Sequence, residues 1–121
     1  MDCQHLKERS QVVSEELEEL LKAREAGECD FLLVDVREPF EYEEAHIPGV
    51  DLLRPTSRFQ AWAQELAGRR DETLIITCRT ANRSYQVQQI LRRMGHPAVI
   101  DHAGGIVSWR GPIEGGSYGG D

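Results

Sequence analysis

No stretch of the 121-residue chain is apolar for long enough to cross a bilayer. The first residues, Met1-Asp2-Cys3-Gln4-His5-Leu6-Lys7, lack the apolar core of a secretion signal. Basic residues are outnumbered, 14 against 21 acidic for a net charge of −7, which argues against nucleic acid or an acidic membrane as partner. Cysteine is scarce. Cys3, Cys29 and Cys78 are odd in number, widely spaced and contain no C-x-x-C pair, a pattern of neither a disulfide framework nor a zinc site. The expectation is therefore three reduced thiols in a cytoplasmic setting, with no metal and no cofactor. There is no internal repeat, and the length fits one domain with a single core.

What the chain does have is concentrated in seven residues, Cys78-Arg79-Thr80-Ala81-Asn82-Arg83-Ser84. The β-branched run Thr73-Leu74-Ile75-Ile76-Thr77 before them reads as a buried strand. After them Val87, Ile90, Leu91 and Met94 trace one apolar face of a helix, and Gly95 stands where it should stop. The cysteine thus sits at a strand tip, facing the free amides and positive dipole end of a helix N-terminus, with two guanidinium groups nearby. All these terms favour the anion, so a thiol placed there loses its proton readily. The cation pair is local, set against an acidic body.

In chain order, residues 1–9 are polar and expected to be frayed. Gln11-Val12-Val13 fits a short edge strand, and Ser14 fits the cap of a helix whose stripe is Leu17, Leu20 and Leu21 and whose end is Gly27. Phe31 to Val36 has the near-continuous apolar pattern of a strand covered on both faces. At its end Asp35 and Arg37 either face a crevice or brace the sheet edge as an ion pair. Residues 38–45 form an acidic loop or short helix, His46-Ile47-Pro48-Gly49 a turn, and residues 50–53 a short strand. Phe59, Trp62, Ala63 and Leu66 mark a second amphipathic helix ended by Gly68. A last strand, Ala98 to Asp101, leads through His102-Ala103-Gly104-Gly105 into a short closing helix with Ile106, Val107 and Trp109. The globular unit is expected over residues 10–113, followed by a flexible glycine-rich tail over 114–121.

Strands alternating with helices imply an α/β fold, a central mostly parallel sheet flanked by helices on both faces. Binding groups in such sheets gather beyond the carboxyl ends of the strands. That rule draws together Arg37, Arg54, Arg58, the Cys78 loop and His102 to Gly105.

These residues resemble the single-domain rhodanese-like sulfurtransferases. The matching pieces are Asp35-Val36-Arg37-Glu38, Glu41-Tyr42, His46-Ile47-Pro48-Gly49, the loop from Cys78 to Ser84, and Gly104-Gly105 followed by Trp109. They stand in the family's order over roughly residues 10 to 111. The resemblance implies a double displacement in which Cys78 takes the outer sulfur of a small anionic donor such as thiosulfate, becomes a persulfide and passes that sulfur to a nucleophile, small or on a partner protein. It also implies that Arg79, Thr80, Ala81, Asn82, Arg83 and Ser84 form the persulfide-binding loop. Arg83 then orients the loop, Arg79 meets the donor, and Thr80 and Asn82 donate side-chain hydrogen bonds. His46 and Trp109 are expected to be structural, and Cys3 and Cys29 to be ordinary thiols rather than a sulfur relay. Where the family often has glycine this chain has Ala81, which either keeps an ordinary conformation or carries strain.

Two other classes compete. Cysteine-dependent phosphatases and arsenate reductases place Arg six residues after the Cys, whereas here Arg83 is five after Cys78 and Ser84 is sixth. The shorter loop makes a smaller cradle, suited to one sulfur and tight for a tetrahedral phosphate. A partner-binding module with no chemistry would be expected to lose the nucleophile, and this chain keeps it. A persulfide carrier within sulfur delivery needs the same loop as an enzyme.

Overall fold

The computed structural model describes residues 3–120. Five strands form one sheet: β1 (Gln11–Val12), β2 (Leu32–Asp35), β3 (Leu52–Leu53), β4 (Leu74–Thr77) and β5 (Val99–His102). Its order is β1-β5-β4-β2-β3, and every pairing is parallel. Four helices accompany it: α1 (Ser14–Glu25), α2 (Pro39–Glu44), α3 (Phe59–Ala67) and α4 (Asn82–Arg93).

Alternation along the strands divides the core into two layers. Leu74 and Ile76 of β4 pack with Val34, Trp62 and Leu66, and with Val87 and Leu91, so α3 and α4 cover that face. Ile75, between them, packs with Leu33, Ile100, Leu17 and Leu20 beneath α1 on the other. Both faces of the central strands are therefore dry, as the unbroken apolar runs of β2 and β4 require.

Several expectations are corrected. Ser14 is the first helical residue and not the cap. The Glu16 carboxylate instead accepts the Val13 amide at 3.1 Å, and the Ser14 hydroxyl turns inward to His102 and Ser108. The buried face of α4 is Ser84, Val87, Gln88 and Leu91, while Met94 is exposed. Gln88 earns its burial by donating to the carbonyls of Ser10 and Val99. Near the start, Leu6 is buried in a 3-10 turn over Leu6–Glu8. Cys3 and Cys29 form a disulfide across a Cα separation of 5.6 Å, so two of the three expected thiols are paired. The 26-residue separation hides that juxtaposition from any local pattern. The tail is anchored as well. Glu114 exchanges backbone hydrogen bonds with His46, and the Gly116 amide donates to Glu43 O. Tyr118 sets its ring edge-on to Tyr42 and its hydroxyl on Asp51 O, contacts that offset the ordering cost of the glycines around it. Met1, Asp2 and Asp121 of the expected frayed ends lie outside the described residues. No helix among the described residues is long and apolar enough to cross a membrane.

Candidate active site

The Cys78 loop leaves the carboxyl end of β4, the central strand, and closes directly into α4. Cys78 is almost fully buried, and its Sγ accepts the amides of Ala81 at 3.0 Å and Ser84 at 3.4 Å. The amides of Arg79, Thr80, Asn82 and Arg83 have no acceptor among the described residues. Two amides on the sulfur, in a loop with further unpaired N–H groups at a helix N-terminus, favour negative charge on that sulfur.

The loop closes because Ala81 adopts a left-handed conformation, φ 82° and ψ −7°. Of the two alternatives the sequence left open, the strained one holds. For an alanine that conformation costs about 1 kcal/mol, and glycine adopts it freely. Ala81→Gly is expected to raise stability by roughly 1 kcal/mol in denaturant unfolding, with the loop's chemistry retained. A loss of stability would show that Ala81 is unstrained. The loop is backed by Gly105, whose φ of 63° brings its backbone so close that a Cβ there would collide with the carbonyls of Arg79 and Cys78. Two further backbone bonds fix the contact: the Ile106 amide donates to Cys78 O at 2.9 Å and the Val107 amide to Arg79 O at 3.1 Å.

The arginines divide sharply. Arg83 is clamped by Glu41 of α2 through Nη1–Oε1 of 2.7 Å and Nη2–Oε2 of 3.0 Å. Those hydrogen bonds hold the Glu41 carboxyl down to about 2, so the pair stays intact well into acid. Arg37 forms a buried fork with Asp35, and its Nη2 also donates to Ala45 O. Those two residues thus form a buried ion pair at the end of β2. Arg54 is chelated by Glu65 of α3, and Arg58 lies exposed on the turn before α3. No hydrogen bond of Arg58 to the Cys78 loop occurs among the described residues, and Glu65 holds the Arg54 guanidinium. Arg79 is exposed and has no side-chain partner among the described residues. It opens onto a cleft of about 340 Å³ lined also by Arg37, Glu44, Val107 and Ile113. Thr80 and Asn82 are exposed on the loop with their side chains unengaged.

A buried chain of polar groups supports the loop from below. Thr77 Oγ1 lies 2.8 Å from His102 Nδ1, whose Nε2 lies 2.8 Å from the Ser14 hydroxyl. Ser14 in turn meets Ser108, which donates to Gly105 O. Burial pushes His102 down to about 4, so its imidazole is neutral at ordinary pH. His46 stacks on Tyr42 at 3.7 Å and packs against the turn, and Trp109 is buried with its Nε1 on Pro112 O. Both have the structural environment expected of them. Asp101 is a site-proximal group that the sequence did not single out, and Glu41, one of the matching residues, was given no partner. Asp101 had one signal, a charge at the end of an otherwise apolar strand.

The family model described as rhodanese-like domain matches residues 16–112. A sulfurtransferase of Allochromatium vinosum is 36% identical over 98 residues, 81% of this chain and 89% of that protein. A putative sulfur carrier protein of Bacillus subtilis is 32% identical over 92% of this chain, which spans only 58% of that relative's length. Among solved structures, a rhodanese-related protein of Thermoplasma volcanium superposes with a TM-score of 0.71 at 28% identity, covering 87% of this chain and 97% of that one. A thiosulfate sulfurtransferase of Pseudomonas aeruginosa gives 0.73 at 25% identity over 95% of this chain and 22% of that one. With its parallel sheet, cysteine loop and backing glycine in place, the chain belongs to the rhodanese-like domain family.

Proposed function

We propose that the protein is a sulfurtransferase in which Cys78 attacks the outer sulfur of thiosulfate or a similar anionic donor, holds it as a persulfide, and passes it to a thiophilic acceptor. The observation that carries this reading is the amide cradle: two N–H groups on Sγ and, in the same loop, four more without an acceptor among the described residues. A persulfide's terminal sulfur is anionic and would extend from Sγ into that ring of donors. In the first step Sγ bonds to the donor's outer sulfur as the sulfur–sulfur bond of thiosulfate breaks and sulfite leaves with the electron pair. In the second an acceptor such as cyanide takes the outer sulfur and the Cys78 thiolate is restored. Two such transfers are easier than one direct exchange.

Arg79 is the cation available to greet the donor, since Arg83 and Arg37 are spoken for by Glu41 and Asp35. Arg79→Ala is expected to raise KM for thiosulfate about fivefold with a smaller change in kcat, the loss of an exposed charge contact of roughly 1 kcal/mol. Steady-state thiosulfate:cyanide kinetics with parallel lines in double-reciprocal form would support the two-step scheme. Absence of turnover with both thiosulfate and a cysteine persulfide would overturn it, as would hydrolysis of aryl phosphates by the unaltered protein. The persulfide-carrier reading shares the loop and is favoured by the relative named as a sulfur carrier. It differs in expecting rapid loading of Cys78 from a protein persulfide and slow release to cyanide.

A further inference from the structure

A buried carboxyl beneath the loop has no part in the chemistry described so far. Asp101 of β5 is 5% exposed, and the Ser84 hydroxyl donates to its Oδ1 at 2.6 Å. That hydroxyl lies 3.4 Å from Cys78 Sγ and is itself wholly buried. Unlike Asp35, which is forked by Arg37, Asp101 has no cation bonded to it; Ser84 is its only side-chain partner among the described residues.

Among the described residues no charged group is bonded to Asp101. From α4 come Ser84 and Gln88, the latter donating to the carbonyls of Ser10 and Val99. Arg83 and Arg92 of the same helix are engaged by Glu41 and by the carbonyls of Val99 and Arg9. Ile76 of β4 and Gln11 of β1 are its register partners. His102, next along β5, is bonded to Thr77 and Ser14. An isolated buried carboxylate is costly, and burial accordingly pushes the Asp101 carboxyl up, against the opposing bond from Ser84.

Ser84 has a single hydroxyl proton. With Asp101 ionised that proton points to the carboxylate, and the oxygen lone pairs face the Cys78 S–H. With Asp101 protonated the carboxyl donates to Ser84 Oγ, whose own proton is free to turn from the Ala81 carbonyl, 3.2 Å away, toward the sulfur anion. We propose that Cys78 and Asp101 share one proton through Ser84, so that Asp101 is the positioning residue that receives the thiol's proton when the nucleophile forms and returns it when the thiol re-forms. The S–H bond breaks as Ser84 Oγ gains that proton, and the Ser84 O–H bond breaks as Asp101 Oδ1 gains the second. One negative charge moves from carboxylate to sulfur, and nothing is oxidised or reduced. The transfer also turns the Ser84 hydroxyl into a further donor to the sulfur anion. The proposal rests on the reading of Cys78 as the nucleophile for its use, while its test needs no sulfur donor.

The carboxyl carbon of Asp101 would be followed by NMR against pH in the full chain, before and after alkylation of Cys78. Iodoacetamide alkylation rates of Cys78 would be followed over the same range in the parent, Asp101→Asn and Ser84→Ala. The expected results are a carboxyl titration that moves when Cys78 is blocked, and a parent alkylation profile with two rises separated by about tenfold in proton concentration or more. Asp101→Asn should show a single rise, and in Ser84→Ala the carboxyl should no longer respond to blocking. A carboxyl titration indifferent to Cys78, or an Asp101→Asn profile superimposable on the parent's, would overturn the shared proton. If Asp101→Asn fails to fold, the measurement on the unsubstituted protein still decides. A protein that passes these tests yet transfers no sulfur would refute the proposed activity and leave the shared proton standing.

Discussion

Cys78→Ser is expected to abolish sulfur transfer, by at least about ten-thousandfold, while the fold survives. Serine keeps nearly the same volume in a position that is 1% exposed, and its hydroxyl accepts the Ala81 amide as the sulfur did. It cannot form a persulfide. Without the covalent intermediate the cradle can still bind a donor anion, but has no nucleophile to hand the sulfur on. The loss corresponds to roughly 5 kcal/mol of transition-state stabilisation, on the scale seen when a covalent nucleophile is removed elsewhere. Stability should change by only about 1 kcal/mol, because a hydroxyl replaces a thiol among existing donors. Thiosulfate:cyanide assays run beside circular dichroism would check both halves. A folded serine variant that turns over at the parent rate would mean that the nucleophile lies elsewhere.

The second large effect is an acid-side loss of stability traceable to His102. In the unfolded chain a histidine takes up its proton near 6.5, whereas the buried His102 does so only near 4. Between those values the unfolded state binds more protons, so acid favours unfolding. His102's contribution is complete above about pH 6.5, declines as pH falls, and is lost by about pH 4. The shift is equivalent to about 3 kcal/mol. His96, also lowered by burial, acts in the same direction, and the raised Asp101 carboxyl acts oppositely. The comparison must therefore be made against a variant. His102→Gln retains hydrogen-bonding capacity toward Thr77 and Ser14 but does not titrate. It is expected to be less stable than the parent at pH 7 and to lose about 3 kcal/mol less between pH 7 and pH 4 in urea unfolding. Parallel pH dependences for the two proteins would show that His102 is not the group responsible.

The sheet and the Cys78 loop were legible because their signals are local. The run before Cys78, the periodicity after it and the glycines near 104 each report the backbone within a few residues. The features that were not legible join distant parts of the chain. Glu41 meets Arg83 across 42 positions, Ser14 meets Ser108 across 94, and Cys3 meets Cys29 across 26. No periodicity encodes such pairs, and a lone acidic residue in an acidic chain gives no hint of its partner. That is why Arg83 could be expected to orient the loop and Arg79 to be open, while the carboxylate that clamps Arg83 stayed hidden. The helix face over α4 was misread for a related reason. Ser84 and Gln88 count as polar in a hydropathy pattern, yet buried hydrogen bonds to Asp101 and to backbone carbonyls hold them inside. The tail's contacts were not legible either, because its glycines suggest only freedom while one tyrosine, Tyr118, reaches Tyr42 and Asp51.

The most direct test of the central claim is the intact mass of the protein after brief incubation with thiosulfate, followed by peptide mapping and then by addition of cyanide. The account predicts a gain of one sulfur atom, located on the peptide containing Cys78, stable to gel filtration and removed by cyanide with release of thiocyanate. An unchanged mass with both thiosulfate and a cysteine persulfide, or an added sulfur found on Cys3 or Cys29 in place of Cys78, would contradict it.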